Sequence, residues 1–373
     1  MKVIVALLLL TFFSTAQAQS IFIDPQDGFL DGSEWLLKHR GFLPVPIIIT
    51  EPAVGYGFGV ALVFMKETED SRASTTQKFI APTVYGVLGA ATENGTQLGG
   101  GFFMHNWDHD HWRYLGTAMA ASINLDFYGN SGFQSQRQFD LGYNLKGWLT
   151  FHDLRRRLED SNVFLGIRYI YSDLNVKFEN MPPPLANLDP EQENRNGGAS
   201  VLISYDSRNN TLSPDNGFLA EYRYNVYSEN LGGDLDYHTQ DLDLQGYFRF
   251  NPQWGLATRW LNNWIDDDGP FYAKPFINLR GIPKMRYQGD VATSLEGEAR
   301  YSPHPRWQIL GFGGVGKAGD EFNDLSSAET ATSYGLGFRY LIARLLGFQM
   351  GLDVARGPED TVFYIQAGGP WNF

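Results

Sequence analysis

The sequence predicts an all-β protein, a 16-stranded antiparallel transmembrane β-barrel with a short N-terminal helix. Three observations predict it. The hydrophobic pattern has a period of two along nearly the whole chain; the alternating runs are long, mostly 10 to 17 residues, where strands of soluble domains commonly have about 5–6; and the chain begins with an export signal. In the segment 218–226, Phe218, Ala220, Tyr222, Tyr224 and Val226 share one face, with Leu219, Glu221, Arg223 and Asn225 on the other. Such alternation belongs to a half-buried strand, because successive side chains point to opposite faces. The apolar faces carry Tyr, Phe and Trp toward the segment ends, and the opposite faces are charged or small. A membrane barrel needs this: about 9–11 tilted residues per crossing, aromatic girdles outside and a polar lumen.

Composition removes other classes. Of 373 residues, 29 are basic and 42 acidic, for a net charge of −13, and none is cysteine. Nucleic-acid binding is excluded for want of a basic excess, and disulfides, thiolate metal sites and cysteine nucleophiles are excluded with the cysteines. Residues 1–18 read as a signal peptide: Lys2, an apolar core from Val3 to Phe13, and the small-x-small end Ala16-Gln17-Ala18. Its 11-residue core is too short for a membrane-spanning helix, which takes about 20. Cleavage after Ala18 leaves 28 basic and 42 acidic groups, a net −14. Residues 19–41 form an N-terminal segment, in which Asp31-Gly32-Ser33-Glu34 caps a short helix through Trp35-Leu36-Leu37 at the barrel mouth.

The barrel takes residues 42–373. Strands are expected at 42–50, 55–66, 77–91, 95–106, 112–128, 137–152, 161–178, 197–207, 217–229, 237–251, 254–266, 291–302, 306–318, 332–343, 347–356 and 361–373. An even number puts both ends on one side. Connections after even-numbered strands are short, as at 251–253, 302–305 and 343–346, and several after odd-numbered strands are long. Bacterial barrels have short periplasmic turns, so both termini are expected in the periplasm of a Gram-negative bacterium, with the barrel in the outer membrane and lipid around it.

Several motifs carry chemistry. The closing residues Gln366, Gly368, Trp371 and Phe373 resemble the signal by which the assembly machinery recognises an outer-membrane barrel. In the loop 267–290, Leu279-Arg280-Gly281-Ile282 is followed by Arg286-Tyr287-Gln288-Gly289-Asp290. Strand 12 alternates Leu295, Gly297, Ala299 and Tyr301 outward with Glu296, Glu298 and Arg300 inward, so an arginine inserted in the lumen finds carboxylates there. A second trace is Asp206-Ser207-Arg208 with Pro214-Asp215-Asn216-Gly217.

With these motifs, residues 42–373 resemble the barrel of the BamA/TamA superfamily of outer-membrane assembly and secretion proteins, the bacterial surface antigen barrels. The resemblance implies that the loop folds into the lumen and that Arg280 and Gly281 are locked there against Glu298 and Glu296, with Arg286, Tyr287 and Gly289 as a second motif. Two departures stand out. The stretch Phe312-Gly313-Gly314-Val315-Gly316 lacks the acid that the family often has on strand 13, and Ile282 replaces the usual aromatic. The other reading of Arg280 is a solvated loop arginine. Pro44 and Pro46 on strand 1, with Gly368, Gly369 and Pro370 on strand 16, leave the closing pair short of hydrogen bonds. This resembles the family's lateral gate, or merely blunts an edge during folding. Only some 23 residues separate Ala18 from strand 1, too few for the POTRA domains with which the family's insertases catch clients.

The functional expectation is therefore outer-membrane protein or lipid assembly through the seam between strands 1 and 16, without POTRA domains, with a polypeptide client or periplasmic partner. The alternatives are a passive channel for small solutes and, third, an outer-membrane enzyme. No cofactor motif is present. His105, His109 and His111 with Asp108 and Asp110 have the residue types of a zinc site, but fall on a short turn where they need not converge, so no metal is expected. Inward acids and bases (Arg168, Glu221, Arg223, Asp241, Asp243, Arg249, Arg259, Arg339 and Asp353) are expected to pair with one another.

Overall fold

The structure, a computed structural model, describes residues 22–38, 42–51, 53–66, 68, 80–128, 140–178, 191–266 and 269–371. Phe373 and the segment 1–18 lie outside the described residues. Sixteen strands run in chain order: β1 (Leu43–Ile49), β2 (Gly57–Lys66), β3 (Thr83–Thr92), β4 (Gln97–Trp107), β5 (Trp112–Tyr128), β6 (Asp140–Arg157), β7 (Val163–Phe178) and β8 (Glu191–Asp206). They continue with β9 (Gly217–Tyr227), β10 (Tyr237–Arg249), β11 (Trp254–Ile265), β12 (Val291–His304), β13 (Trp307–Gly319), β14 (Ala331–Ala343), β15 (Phe348–Arg356) and β16 (Thr361–Ala367). Each strand pairs antiparallel with its neighbours in sequence, giving the order β1 to β16. The strand count and the all-β barrel agree with the sequence reading.

Several boundaries shift by one or two residues, and β3 begins at Thr83 where 77 was expected; three further differences stand out. β6 runs on to Arg157, β8 begins at Glu191, and β16 ends at Ala367. The β6 extension carries charge on both faces and the β8 extension is polar on both, as strand ends beyond the hydrocarbon layer can be. The third is a turn: Gly368 takes φ +82°, where glycine has no steric penalty, and Pro370 cannot donate to a ladder.

Exposure follows the alternation. On β12, Leu295 is 51% exposed, whereas Glu298, three residues on and facing inward, is 1% exposed. Leu165, Ile167 and Tyr169 of β7, and Val201, Ile203 and Tyr205 of β8, also face outward and exposed. The sheet is thus oily outside and ionic inside, which suits lipid on one side and paired charge on the other.

One end of the barrel, here the near end, carries the N-terminal segment. Residues 22–31 form a small hairpin with an Ile23–Leu30 bridge, closed by Asp24 N–H to Phe29 O at 2.9 Å and Asp31 N–H to Phe22 O at 2.9 Å. Helix α1 (Ser33–Lys38) follows, its start fixed by Asp31 Oδ1 accepting from Ser33 N–H at 2.7 Å and by Gly32 N–H to Ile342 O at 2.6 Å. The helix packs against both the β14–β15 turn and β2, which flank β1 and β16 in strand order. Among the described residues no helix is long and apolar enough to cross a membrane, a statement that does not concern strands.

Candidate functional site: a lumenal arginine lock beside the seam

The connection between β11 and β12 folds into the barrel as a hairpin. Its arms are joined by a Phe276–Gln288 bridge, by Ile277 N–H to Tyr287 O at 3.0 Å and by Gly289 N–H to Pro275 O at 3.1 Å. At its tip Gly281 has φ +89°. A Cβ at Gly281 would also press on Gly357 N at 3.0 Å, so the position requires glycine twice over. Ile277, Leu279 and Ile282 are buried together with Ala331.

The wall beneath them explains the missing strand-13 acid. Gly314 and Gly316 pair with Glu296 and Ser294 across the ladder, and so share the inward face. A Cβ on Gly314 would meet Leu279 Cδ2 at 2.6 Å, and one on Gly316 would collide with Ile277. Here β13 offers a bed of glycine instead of a carboxylate, and aliphatic side chains fill it. Ile282 fits the same apolar setting.

Arg280 lies at the centre. Its Nε donates to Glu296 Oε1 at 3.0 Å, its Nη1 to Asp353 Oδ2 at 2.7 Å, and its Nη2 lies 2.9 Å from Glu298 Oε2. The guanidinium stacks over Phe312, 3.6 Å from the ring centroid, a cation–π contact strengthened by exclusion of water. Gly281 N–H donates to Tyr364 Oη of β16 at 2.9 Å. Two further arginines complete the cluster: Arg339 Nη2 donates to Asp353 Oδ2 at 2.9 Å, and Arg300 Nε to Glu298 Oε1 at 2.7 Å. Three buried arginines therefore balance Glu296, Glu298 and Asp353. Balance matters, because buried ions persist only when paired and hydrogen-bonded.

The structure brings Arg280, Gly281, Glu296 and Glu298 together, and adds Asp353 of β15. The sequence placed Asp353 inward without linking it to Arg280. The second motif lies apart from the lock: Arg286 Nε donates to Glu359 Oε1 at 2.7 Å, as does Tyr287 Oη at 3.3 Å, while Lys284 N–H donates to Glu51 Oε1 at 3.0 Å. Glu51 follows β1 and Glu359 precedes β16, so the loop holds both sides of the seam. Gly289 lies so close to Gly319 that a Cβ would clash with its carbonyl.

At the seam, no ladder joins β1 to β16 among the described residues. Pro44 and Pro46 stand opposite Leu62 and Val60 of β2, exposed on the outer face. Past β16 the chain turns away from the wall: Gly368 N–H donates to Gln349 O at 2.7 Å and Gly369 N–H to Leu212 O at 2.6 Å. Trp371 then reaches the lock, where its Nε1 donates to Glu296 Oε1 at 3.1 Å and its ring lies 5.9 Å from that of Tyr247. This corrects the expectation that Gly368, Gly369, Pro370 and Trp371 extend strand 16; Gln366 remains in it.

The β8–β9 turn closes the near end from the opposite wall. Arg300 Nη1 donates to Pro214 O at 2.8 Å, and Asn210 Nδ2 donates to Leu346 O at 3.1 Å. Asp206 is held by Arg208 and Arg113 at 2.9 and 2.7 Å. Elsewhere the inward charges pair, as expected: Arg168 with Asp153, Arg223 with Glu221 and Arg259 with Asp243. They face a cavity of about 570 Å³ between β7–β11 and the folded loop.

The histidine segment diverges. His105 meets Thr83 Oγ1 at 2.7 Å and stacks on Trp107, while Asp110 turns inward to Arg113 at 2.7 Å. Asp108, His109 and Asp110 all have positive φ, 55° to 64°. Sequence reasoning missed a second cluster around a buried arginine, at the near end. Arg306, 1% exposed, donates to Asp24 at 2.6 Å and Asp27 at 2.6 Å, and pairs with Asp31; Arg344 also pairs with Asp24. These arginines hold the Asp24 carboxyl down at about 2, through the Arg344 hydrogen bond first, and Arg306 lowers that of Asp27; Asp31 is lowered, against its burial, by Ser33 first and then by Arg306. The period-two spacing of Asp24 against Ile23 was a signal that could have been read.

Residues 83–278 match the Omp85 superfamily domain, more than half of the chain. This protein belongs to the Omp85 superfamily. Its fold is similar to that of BamA from Haemophilus ducreyi lacking POTRA domains 1–3, with a TM-score of 0.58 at 12% identity, covering 89% of this chain and 71% of that one. It is also similar to CdiB from Acinetobacter baumannii, with a TM-score of 0.57 at 10% identity over 87% of this chain and 58% of that one. For CdiB from Escherichia coli the TM-score is 0.58 at 10% identity, over 86% and 61% of the two chains. No curated protein matches the sequence. At these identities the solved structures speak for the fold, and the family for an Omp85-type outer-membrane barrel.

Proposed function

We propose that this Omp85 barrel acts at the seam between β1 and β16, passing polypeptide or lipid between lumen and bilayer in the assembly of the outer membrane. Both termini are periplasmic in this reading, and clients arrive with a periplasmic partner. Gln366, Gly368, Trp371 and Phe373 serve as the signal to the machinery that inserts the barrel itself. One observation carries the proposal: the only neighbouring strands without a ladder, among the described residues, are those whose flanking segments the lumenal loop grips, at Glu51 and Glu359. Arg280 anchors that loop and so sets the resting, closed state.

The test uses protein reconstituted in liposomes and the folding rate of a second barrel added unfolded. The chain has no cysteine, so Ile48→Cys with Phe363→Cys, both outward-facing across the seam, can be joined by a flexible bismaleimide. Accelerated folding by the unlinked pair, abolished on linking, supports the seam; acceleration that survives linking overturns it. A second reading, a passive conduit, is favoured by the charged cavity of about 570 Å³. Planar-bilayer conductance that rises when the loop is unseated by Arg280→Ala would support that reading.

A further inference from the structure

The hairpin at residues 22–31 is built inside out for a segment in water. Its carboxylates Asp24 and Asp31 point into the protein and are buried, whereas Phe22, Ile23 and Leu30 are 42%, 47% and 50% exposed. The Ile23–Leu30 bridge sets those two side by side. The next residue on each arm, Asp24 and Asp31, faces the other way, as strand geometry requires. A hairpin bathed in water would reverse this, because exposed carboxylates cost nothing and exposed aliphatic area does. Ionic toward the protein and oily away from it is the polarity of the barrel wall.

The hairpin also joins the wall's outer aromatic row. Tyr340 Oη donates to Leu30 O at 2.7 Å, the Tyr340 ring lies 4.8 Å from Trp307, and Trp307 lies 5.1 Å from Phe338. On the far side of the seam the row resumes with Phe42, Phe64 and Tyr85, at ring spacings of 6.0 and 5.1 Å. Between them, the outward residues of β15, β16 and β1 include Leu352, Val354, Phe363, Ile365 and Ile48, with no Trp or Tyr. Phe22 packs against Trp35 at 6.0 Å, on the helix that touches both β2 and the β14–β15 turn. Aromatic and aliphatic side chains at the level of the headgroups are what an interfacial segment needs.

We propose that the hairpin at 22–31 is a lipid-contacting element, lying in the interfacial layer of the leaflet at the near end, with Phe22, Ile23 and Leu30 in the lipid. It extends the membrane-facing surface below the wall and beside the seam. The inference needs the barrel in a bilayer but does not depend on what the seam does.

Absence of cysteine makes the test free of background labelling. Ile23→Cys and Leu30→Cys, in the full chain reconstituted in phosphatidylethanolamine–phosphatidylglycerol vesicles, carry a small fluorophore. Phe363→Cys on the outer wall and the fully exposed Asp160→Cys serve as lipid and water references. Heat-modifiable migration confirms that each variant is folded, and Phe22→Cys replaces either one that is not. The expected result is quenching of both hairpin sites by acyl-chain nitroxide lipids, comparable to that at Phe363, with several-fold protection from iodide relative to Asp160. Quenching by iodide without quenching by lipid overturns the proposal, since the hairpin then faces water. Protection from both quenchers also overturns it, because protein then covers the site. Loss of lipid quenching at Phe363 itself would bring down the membrane placement along with the hairpin.

Discussion

Two arginines in this barrel each sit among three carboxylates, and they are held in opposite ways. Arg280 meets Glu296, Glu298 and Asp353, acids fixed on strands of the wall and neutralised by two further arginines. Arg306 meets Asp24, Asp27 and Asp31, acids that all belong to one short hairpin, with Arg344 to help. In the first cluster the wall is the receptor and the arginine arrives on a loop. In the second the arginine belongs to a strand turn and the acids arrive. The same chemistry therefore gives a lock inside the barrel and a clamp at its rim. Removing the lock strands charges in the wall, whereas removing the clamp frees only a terminal segment.

The largest expected effect is at the lock. Arg280→Ala leaves three buried acids facing two arginines and is expected to cost about 3–5 kcal/mol, as for other broken buried ion pairs, read as a lower urea midpoint of the folded, heat-modifiable form. Arg306→Ala should leave that midpoint nearly unchanged yet expose residues 22–38 to limited proteolysis. A barrel that unfolds as readily as with Arg280→Ala would erase the contrast between lock and clamp.

Overpacking comes next. Gly314→Ala forces Leu279 off the β13 bed and should cost about 1–3 kcal/mol, seen in the same urea titration as a shift smaller than that of Arg280→Ala. Of similar size, Trp371→Phe removes one hydrogen bond to the Glu296 carboxylate while keeping a ring, a loss of about 1.5–3 kcal/mol.

Acid should release the clamp. The carboxyls of Asp24 and Asp27 are lowered by their arginines, Asp24 to about 2, and that of Asp31 by Ser33 and then Arg306 against its burial. Docking is thus fully present above the ordinary carboxylate value of about 3.9 and is lost as pH falls through the lowered values. Proteolysis with an acid-active protease, or hydrogen exchange, should find the hairpin protected at pH 5 and released as the pH approaches 2. Release already at pH 5 would mean that the arginines do not hold it.

Much of this was legible in the sequence because the barrel wall obeys a local rule. Alternation located sixteen strands, and the inward parity of Glu296 and Glu298 followed from Leu295 and Gly297. Where lipid no longer imposes that rule, the reading slipped. Glu191 to Asn196 continue β8 with polar residues on both faces, so nothing marked them as strand. Asp353 lies 73 positions from Arg280, and it meets the arginine only because the sheet from β12 to β15 curves around the inserted loop. Gly314 and Gly316 did carry a signal: inward glycines opposite bulky loop residues mark where a loop is seated. The turn of the chain at Gly368 was hidden by its resemblance to an extended terminal strand.

Glu296 Oε1 accepts from both Arg280 and Trp371, and this sharing has a thermodynamic corollary. Linkage between two sites is reciprocal. Whatever factor a departing Trp371 adds to the escape of the loop, a departing loop must add to the escape of Trp371. Anything that peels back the segment after β16 would thereby loosen the arginine without touching it, and anything that draws out the arginine would unfasten the end of β16.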